Sequence, residues 1–281
     1  MNAGWRRALV SVAAIAGVFV LWDLAVRVFG VRPDLVPPPA DAFRAIADDW
    51  AVLSDRTWTT LEPTLIGFSL GAVVGFVLAV IMSRSSIVRR VLYPVLIGSQ
   101  AIPAPAIAAP LVIALGFGLA PKVAVVAFIV FFPVVVNVLD GLAGVDRDLL
   151  NLARIMDGRR LRVLWSIELP ATLTPLFSAL KLGATYAVTG AVIGESLATF
   201  TPGLGFYLTI KNSQLDTDAV YAAVLVLSAI GIGMFLVVAA AERLATPWRT
   251  RSTARRWWAR RRVVSAGVSE DGDLEGSGGE R

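Results

Sequence analysis

Neither cysteine nor histidine occurs among the 281 residues. That double absence removes disulfides, thiolate nucleophiles, zinc-thiolate sites, imidazole bases and any triad built on histidine. Lysine is nearly absent as well: Lys122, Lys181 and Lys211 are the only three, preceded by Pro, Leu and Ile. A phosphate-binding loop needs Gly-Lys followed by Ser or Thr, so that the lysine reaches the phosphates. No such loop exists here. Charged residues make up 17% of the sequence and avoid whole stretches of it. No metal or cofactor site is expected on this chain.

Apolar residues are what the chain has in excess: 56% are hydrophobic, a further 24 are glycine, and the mean hydropathy is +0.71. That is more than a soluble core uses. A bilayer core about 30 Å thick needs roughly 20 apolar residues in a helix. Six stretches qualify, at Leu9 to Phe29, Thr64 to Met82, Val95 to Phe117, Lys122 to Leu139, Phe177 to Ala198 and Val220 to Ala241. The first follows Arg6 and Arg7 as a signal peptide would, but it is too long and no small-residue cleavage site follows. A retained helix is expected. Basic residues then set the orientation. With the N-terminus cytoplasmic, the inner segments hold Arg6, Arg7, Arg84, Arg89, Arg90, Arg147, Arg154, Arg159, Arg160, Arg162 and the arginines from Arg243 to Arg262. The outer segments hold only Arg27, Arg32, Arg44, Arg56, Lys122 and Lys211. The sequence thus predicts an all-α membrane protein of six transmembrane helices with both ends inside. The net charge of +5 becomes a topology and anionic-lipid signal, with no nucleic-acid partner implied.

Residues 1–60 read as the first helix and an outer connector, 61–245 as a five-helix core, 246–264 as a basic juxtamembrane segment and 265–281 as a disordered tail. In the connector, Pro37-Pro38-Pro39 breaks helix, while Phe43, Ile46, Ala47 and Trp50 fall at helical spacing. They predict a short amphipathic helix lying on the outer surface. Trp257 and Trp258 among arginines read as an interfacial anchor. Within the core, Gly67, Gly71 and Gly75 remove three side chains from one helix face and predict a close helix-helix seam. Pro103, Pro105 and Pro110 behind Ser99 and Gln100 require the third span to bend or break, which makes Ser99, Gln100 and Pro103 candidates to line a pathway. Asn137, Thr185 and Thr189, beside Tyr186, are the polar groups left within spans and join them. No charge lies deep in a span, where each would cost about 2.5–3.5 kcal/mol. Asp23 is spaced to pair with Arg27, and Asp140, Lys181 and Glu195 sit near span ends within reach of interface water. This distribution argues against a carrier coupled to protons or sodium through buried carboxylates.

The inner loop at 146–170 is unlike a simple connector. Leu149, Leu152, Ala153 and Met156 form an i, i+3, i+4, i+7 apolar stripe, with Asp146 or Asp148 as the N-cap. Asp157-Gly158 stops that helix, and a second helical stretch from Arg159 to Glu168 is expected to end at Leu169-Pro170. An apolar stripe in the cytoplasm needs a surface to bury it.

These residues resemble the EAA loop of permease subunits in bacterial binding-protein-dependent ABC importers. Ala153 matches its second alanine, and Ile167-Glu168-Leu169-Pro170 matches its terminal Ile-x-Leu-Pro. Asn151 stands where that loop has Glu, Leu152 where it has the first Ala, and Asp157 where it has Gly, with Gly158 one place later. The resemblance runs from about Leu61 to Ile232. Ala101-Ile102-Pro103-Ala104-Pro105-Ala106, Leu115-Gly116-Phe117-Gly118, Phe131-Phe132-Pro133 with Asn137, Gly194-Glu195-Ser196 and Gly203-Leu204-Gly205-Phe206-Tyr207 are similar to the nitrate/sulfonate/taurine branch. The resemblance implies a type I ABC importer permease of MetI-like architecture in the bacterial inner membrane, with no enzyme activity of its own. It implies a second permease subunit, forming a homodimer around the pore. Separate ABC ATPase subunits, which carry the ATP, would dock on Leu149, Asn151, Leu152, Ala153, Met156, Asp157, Gly158, Ile167, Leu169 and Pro170. An extracytoplasmic solute-binding protein would deliver a small anion such as nitrate, a sulfonate or taurine on the side of Glu195, Gly203 and Gly205. The alternatives are a permease of the polyamine, phosphonate or amino-acid branches, or a secondary carrier that moves solute alone.

Overall fold

The computed structural model describes residues 3–32, 35–156, 160–197 and 202–247. The chain divides into two units, Met1–Val238 and Ala239–Arg281. In the second, Thr246 turns its hydroxyl and its backbone N–H onto the Glu242 carbonyl at 2.7 and 2.8 Å, finishing a helix end. The expected anchor at Trp257 and Trp258 and the tail lie outside the described residues.

Every regular element among the described residues is helical. Helix α1 (Ala3–Val28) takes up the first expected span, and Arg27 meets Asp23 at 2.7 Å as their spacing predicts. Helix α2 (Pro39–Asp48) is the short helix expected in the connector, with a proline in its first turn, where no N–H is needed. Its inward side differs from the expected one: Pro39 and Ala42 are buried, whereas Phe43, Ala47 and Trp50 are exposed. The cause is tertiary. Ala45 and Ile46 pack on a cluster of Leu53, Leu204, Tyr207, Ala219, Ala222 and Ala223, so distant protein segments decide which side of α2 is covered.

Helix α3 (Trp50–Arg84) begins well before the expected second span and runs through Pro63. Helices α4 (Ser86–Ser99) and α5 (Ala104–Leu115) make up the third, and they are bent by 103° at the break between them. Only one of the three prolines sits at that break: Pro103 is the extended N-cap of α5, Pro105 lies in its first turn and Pro110 inside it. Helices α6 (Leu119–Ala143), α9 (Leu169–Leu197) and α11 (Thr217–Ala245) follow. Among the described residues α3, α6, α9 with the turn before it, and α11 are long and apolar enough to cross a bilayer, and the bent pair makes a fifth crossing if it counts as one span. Helix α1 is outside that set, and a sixth crossing requires it.

The centre is α6. Cβ atoms added at Gly67 and Gly71 of α3 would lie 2.5 Å from Val126 Cβ and from the Ala127 carbonyl oxygen, and at Gly75 one would lie 2.9 Å from the Phe131 oxygen. The glycine seam is therefore where α3 closes onto α6. A second seam, on α9, grips the other side. There, Cβ atoms at Gly183, Gly190 and Gly194 would meet Val130 at 3.1 Å, Ile129 at 3.0 Å and the Lys122 Cα at 3.0 Å. Between the seams, Val126, Val130, Val134, Val135 and Val138 are fully buried. Valine suits this site because its branched side chain is stiff and short, which keeps three helix backbones close.

The loop departs from expectation at one end. Helix α7 (Arg147–Ile155) forms as the stripe predicts, with Asp146 Oδ1 accepting from Asp148 N–H at 2.9 Å. The second stretch does not stop at Leu169-Pro170. Helix α8 (Arg160–Val163) passes through a π-helical turn at Leu164–Glu168 directly into α9. Pro170 has no N–H to give, and its ring would clash with the carbonyl four residues back. The widened turn, closed by the Leu169 N–H reaching the Leu164 carbonyl, accommodates that proline without a break. Helix α10 (Leu204–Ser213) lies between α9 and α11 in sequence.

Candidate functional site

Three groups of sequence-predicted residues sit in three different places. The loop stripe is laid out on α7 and the turn after it: Leu149 and Leu152 are exposed on the helix, Ala153 is half-exposed, and Met156 is exposed just past its end. Ile155, 82% exposed, enlarges the patch, and Trp165 stands exposed on the π-helical turn. Neither was in the expected set, although an aromatic between Leu164 and Ser166 is the signal that marks Trp165. Asn151 is exposed, whereas Ile167 and Leu169 are half-buried at the foot of α9, with Pro170 exposed beside them. Asp157 and Gly158 lie outside the described residues. Glu168 forms an ion pair with Arg84 at the end of α3, which fastens the foot of α9 to its neighbour.

The pathway candidates are not brought together. Thr185 and Thr189 line a groove of ≈460 Å³ between α9 and α11, with Val188, Val192, Leu227 and Ser228. Ser228 is a hydroxyl that the sequence reading missed. Thr185 donates to the Leu182 carbonyl at 2.8 Å and Ser228 to the Val224 carbonyl at 2.7 Å, so both hydroxyl protons are committed to their own helices. No Asp, Glu, Lys or Arg lines the groove. Ser99 bonds its own helix at Leu96, Gln100 and Pro103 are exposed at the break between α4 and α5, and Asn137 donates to the Pro133 carbonyl at 2.8 Å. None of these four is part of the groove lining.

Glu195, Gly203 and Gly205 do come together, inside the protein. Glu195 is 0% exposed and Lys122 1%, so neither reaches interface water, which corrects the expectation for Glu195. Glu195 Oε2 accepts from Gly205 N–H at 2.7 Å, while Thr60 Oγ1 accepts from Leu204 N–H at 2.8 Å. Helix α10 has no side-chain cap of its own, so Thr60 from α3 and Glu195 from α9 satisfy the N–H groups at its start. Gly203 has Glu195 and Thr60 so close that no Cβ fits, and a Cβ at Gly205 would lie 2.8 Å from the Val192 Cα. The glycines are there to let the backbone reach the carboxylate.

Further ties hold α10. Arg56 donates to the Pro202 carbonyl at 2.6 Å, and the Tyr207 hydroxyl donates to Asp49 Oδ2 at 2.6 Å. Burial, and then the acceptor bond to Asp49, raise the Tyr207 phenol above its ordinary value, so it stays a donor. Lys211 bonds Asp216 at 2.7 Å. That bond raises the lysine and lowers the carboxyl from their ordinary values.

The described residues thus form a core of long apolar helices with an uncovered loop helix. Residues 71–247 match the family described as binding-protein-dependent transport system inner membrane component. The chain belongs to this family. As a permease it is 32% identical over 235 residues to the formylaminopyrimidine transport permease protein ThiX of Halalkalibacterium halodurans, covering 83% of this chain and 93% of that one. It is 31% identical to the riboflavin transport system permease protein RibX of Chloroflexus aurantiacus, covering 82% and 87%. It is 27% identical to the taurine transport system permease protein TauC of Escherichia coli, covering 86% and 90%. In fold the permease is similar to a chain of the inward-facing MetNI methionine ABC transporter, with a TM-score of 0.58 at 16% identity over 67% of this chain and 94% of that one. It is an integral inner-membrane transport component and not an enzyme. Its relatives include a taurine permease, as the branch resemblance predicts, together with pyrimidine and flavin permeases.

Proposed function

We propose that this permease, paired with a second copy of itself, forms the solute pathway of an ATP-driven importer. The loop at 146–170 docks on separate ABC ATPase subunits, and a solute-binding protein delivers cargo at the opposite face. The observation that carries this reading is the uncovered apolar face of α7 and its last turn, where Leu149, Leu152, Ile155 and Met156 are all exposed. A face of that kind on a helix away from the membrane core calls for a protein partner. Both chain ends lie in the cytoplasm on this reading, as the arginine distribution favours.

The cargo is a small organic solute. A groove lined by three hydroxyls, two of them committed to their own helices, and by no cation offers nothing to neutralise an inorganic anion such as nitrate, whose burial unpaired is costly. It suits neutral or zwitterionic molecules of the kind the relatives' names describe, a formylaminopyrimidine, a flavin or taurine. Co-expression with the ATPase tests the docking. The wild-type chain co-purifies with it, and Leu152→Asp, which would bury a carboxylate in the contact, abolishes the complex while the permease still reaches the membrane. Normal complex yield for Leu152→Asp refutes the docking assignment.

A further inference from the structure

We propose that Glu195 is a positioning residue that makes α10 move with α9, so that displacement of the cytoplasmic loop is delivered to the opposite end of the molecule. The inference rests on the ATP-driven reading above. Residues 160–197 form one uninterrupted helical rod through the π-helical turn. At 1.5 Å per residue that rod is about 55 Å long, enough to pass from the loop through the bilayer. Glu195 stands at its far end and holds the first turn of α10 through Gly205 N–H at 2.7 Å. Thr60 on α3 holds the adjacent Leu204 N–H, and Arg84 on the same α3 is paired to Glu168 at the foot of α9. The two helices are thus joined at both ends, with α6 gripped between their glycine seams. Any tilt imposed on α8 moves α3, α6 and α9 as one body, and the buried carboxylate carries α10 along. Such a bond in a site closed to water is hard to exchange for a water bond, which makes the tie stiff. Glu195 therefore acts from inside the protein rather than as a surface for the binding protein.

The natural absence of cysteine allows a direct test. Spin labels on Leu197→Cys and Ser213→Cys, in chains diluted with unlabelled copies in the full importer, report the α9–α10 distance without nucleotide and with ATP trapped. The expected result is one narrow distance distribution that does not shift between the two states. A shift in the otherwise unaltered chain overturns the proposal, because α10 would then move independently of α9. A single label at Leu197 measures the distance between copies. If that distance fails to respond to ATP, the importer reading fails, and this outcome is separate from the first. Glu195→Leu should broaden the α9–α10 distribution and reduce the stimulation of ATPase by loaded binding protein to a ratio near one, with basal hydrolysis kept. Glu195→Gln, which keeps an acceptor for Gly205, should restore both. Thr60→Val gives a milder version should Glu195→Leu not assemble. Wild-type stimulation and distances in Glu195→Leu, or in Thr60→Val where Glu195→Leu does not assemble, also overturn the proposal.

Discussion

Replacing Gly71 by alanine measures how tightly the core is closed. The added Cβ would lie 2.5 Å from the Ala127 carbonyl oxygen and 3.1 Å from the Ala127 Cα. Both are backbone atoms, and no rotamer change can move them aside. Restoring ordinary contact requires α3 and α6 to separate by about 1 Å, at the overpacking cost of about 1–3 kcal/mol seen in well-packed cores. Separation also loosens Gly67 and Gly75, so the loss belongs at the upper end of that range. Gly98 is the control. A Cβ there meets nothing within 4 Å, and alanine in that helix should be neutral or stabilising by up to about 1 kcal/mol. Unfolding of the detergent-purified chain in a denaturing detergent titration, followed by tryptophan fluorescence, gives both numbers on one scale. If Gly71→Ala is as well tolerated as Gly98→Ala, the seam is not a close backbone contact and the account of the core is wrong.

Other consequences follow from single contacts. Glu168→Ala removes the partner of Arg84 at a partly exposed site, and should cost about 0.2–1 kcal/mol in the same titration, with no further loss in the Arg84→Met/Glu168→Ala double variant. A double variant that loses as much as both singles added together contradicts a direct pair. Gly203→Ala should push the Glu195 carboxylate away from α10 and raise amide exchange across Leu204 to Tyr207; unchanged exchange refutes the close approach. The Lys211–Asp216 bond depresses the carboxyl and elevates the lysine, so its stabilisation is full between their ordinary values, about 3.9 and 10.4. It fades as pH falls through the lowered Asp216 value and as pH rises through the raised Lys211 value. Amide exchange protection at Asp216 to Val220 should show the acid loss in the wild type and lack it in Asp216→Asn.

The parts of the fold that follow from periodicity were legible. The Gly67, Gly71, Gly75 seam, the Asp23–Arg27 pair, the break at Pro103 and the α7 stripe each rest on a local rule that the structure obeys. The same rule was available at Gly183, Gly190 and Gly194, whose spacing also lines one face, and went unused. What local rules cannot supply is the partner. A carboxylate near a span end reads alike whether it reaches interface water or caps another helix, and only the approach of Gly203 and Gly205 decides it for Glu195. Pro170 reads as a terminator until a widened turn is available to absorb it. Spacing alone misses the inward face of α2, because all of the cluster it packs on except Leu53 lies more than a hundred positions away, from Leu204 to Ala223. Type and depth in a span do not say which polar side chains share a surface: Thr185 and Thr189 line one groove, while Ser99 and Asn137 bond their own helices elsewhere.

The central claim is that this chain supplies pathway and lever while ATP chemistry resides elsewhere. Solute uptake into proteoliposomes, with this chain reconstituted alone and then with its ATPase and binding protein, tests it most directly. The account predicts no uptake from the chain alone under any ion gradient, and uptake that requires ATP, ATPase and binding protein together. Gradient-driven uptake by the chain alone would contradict it.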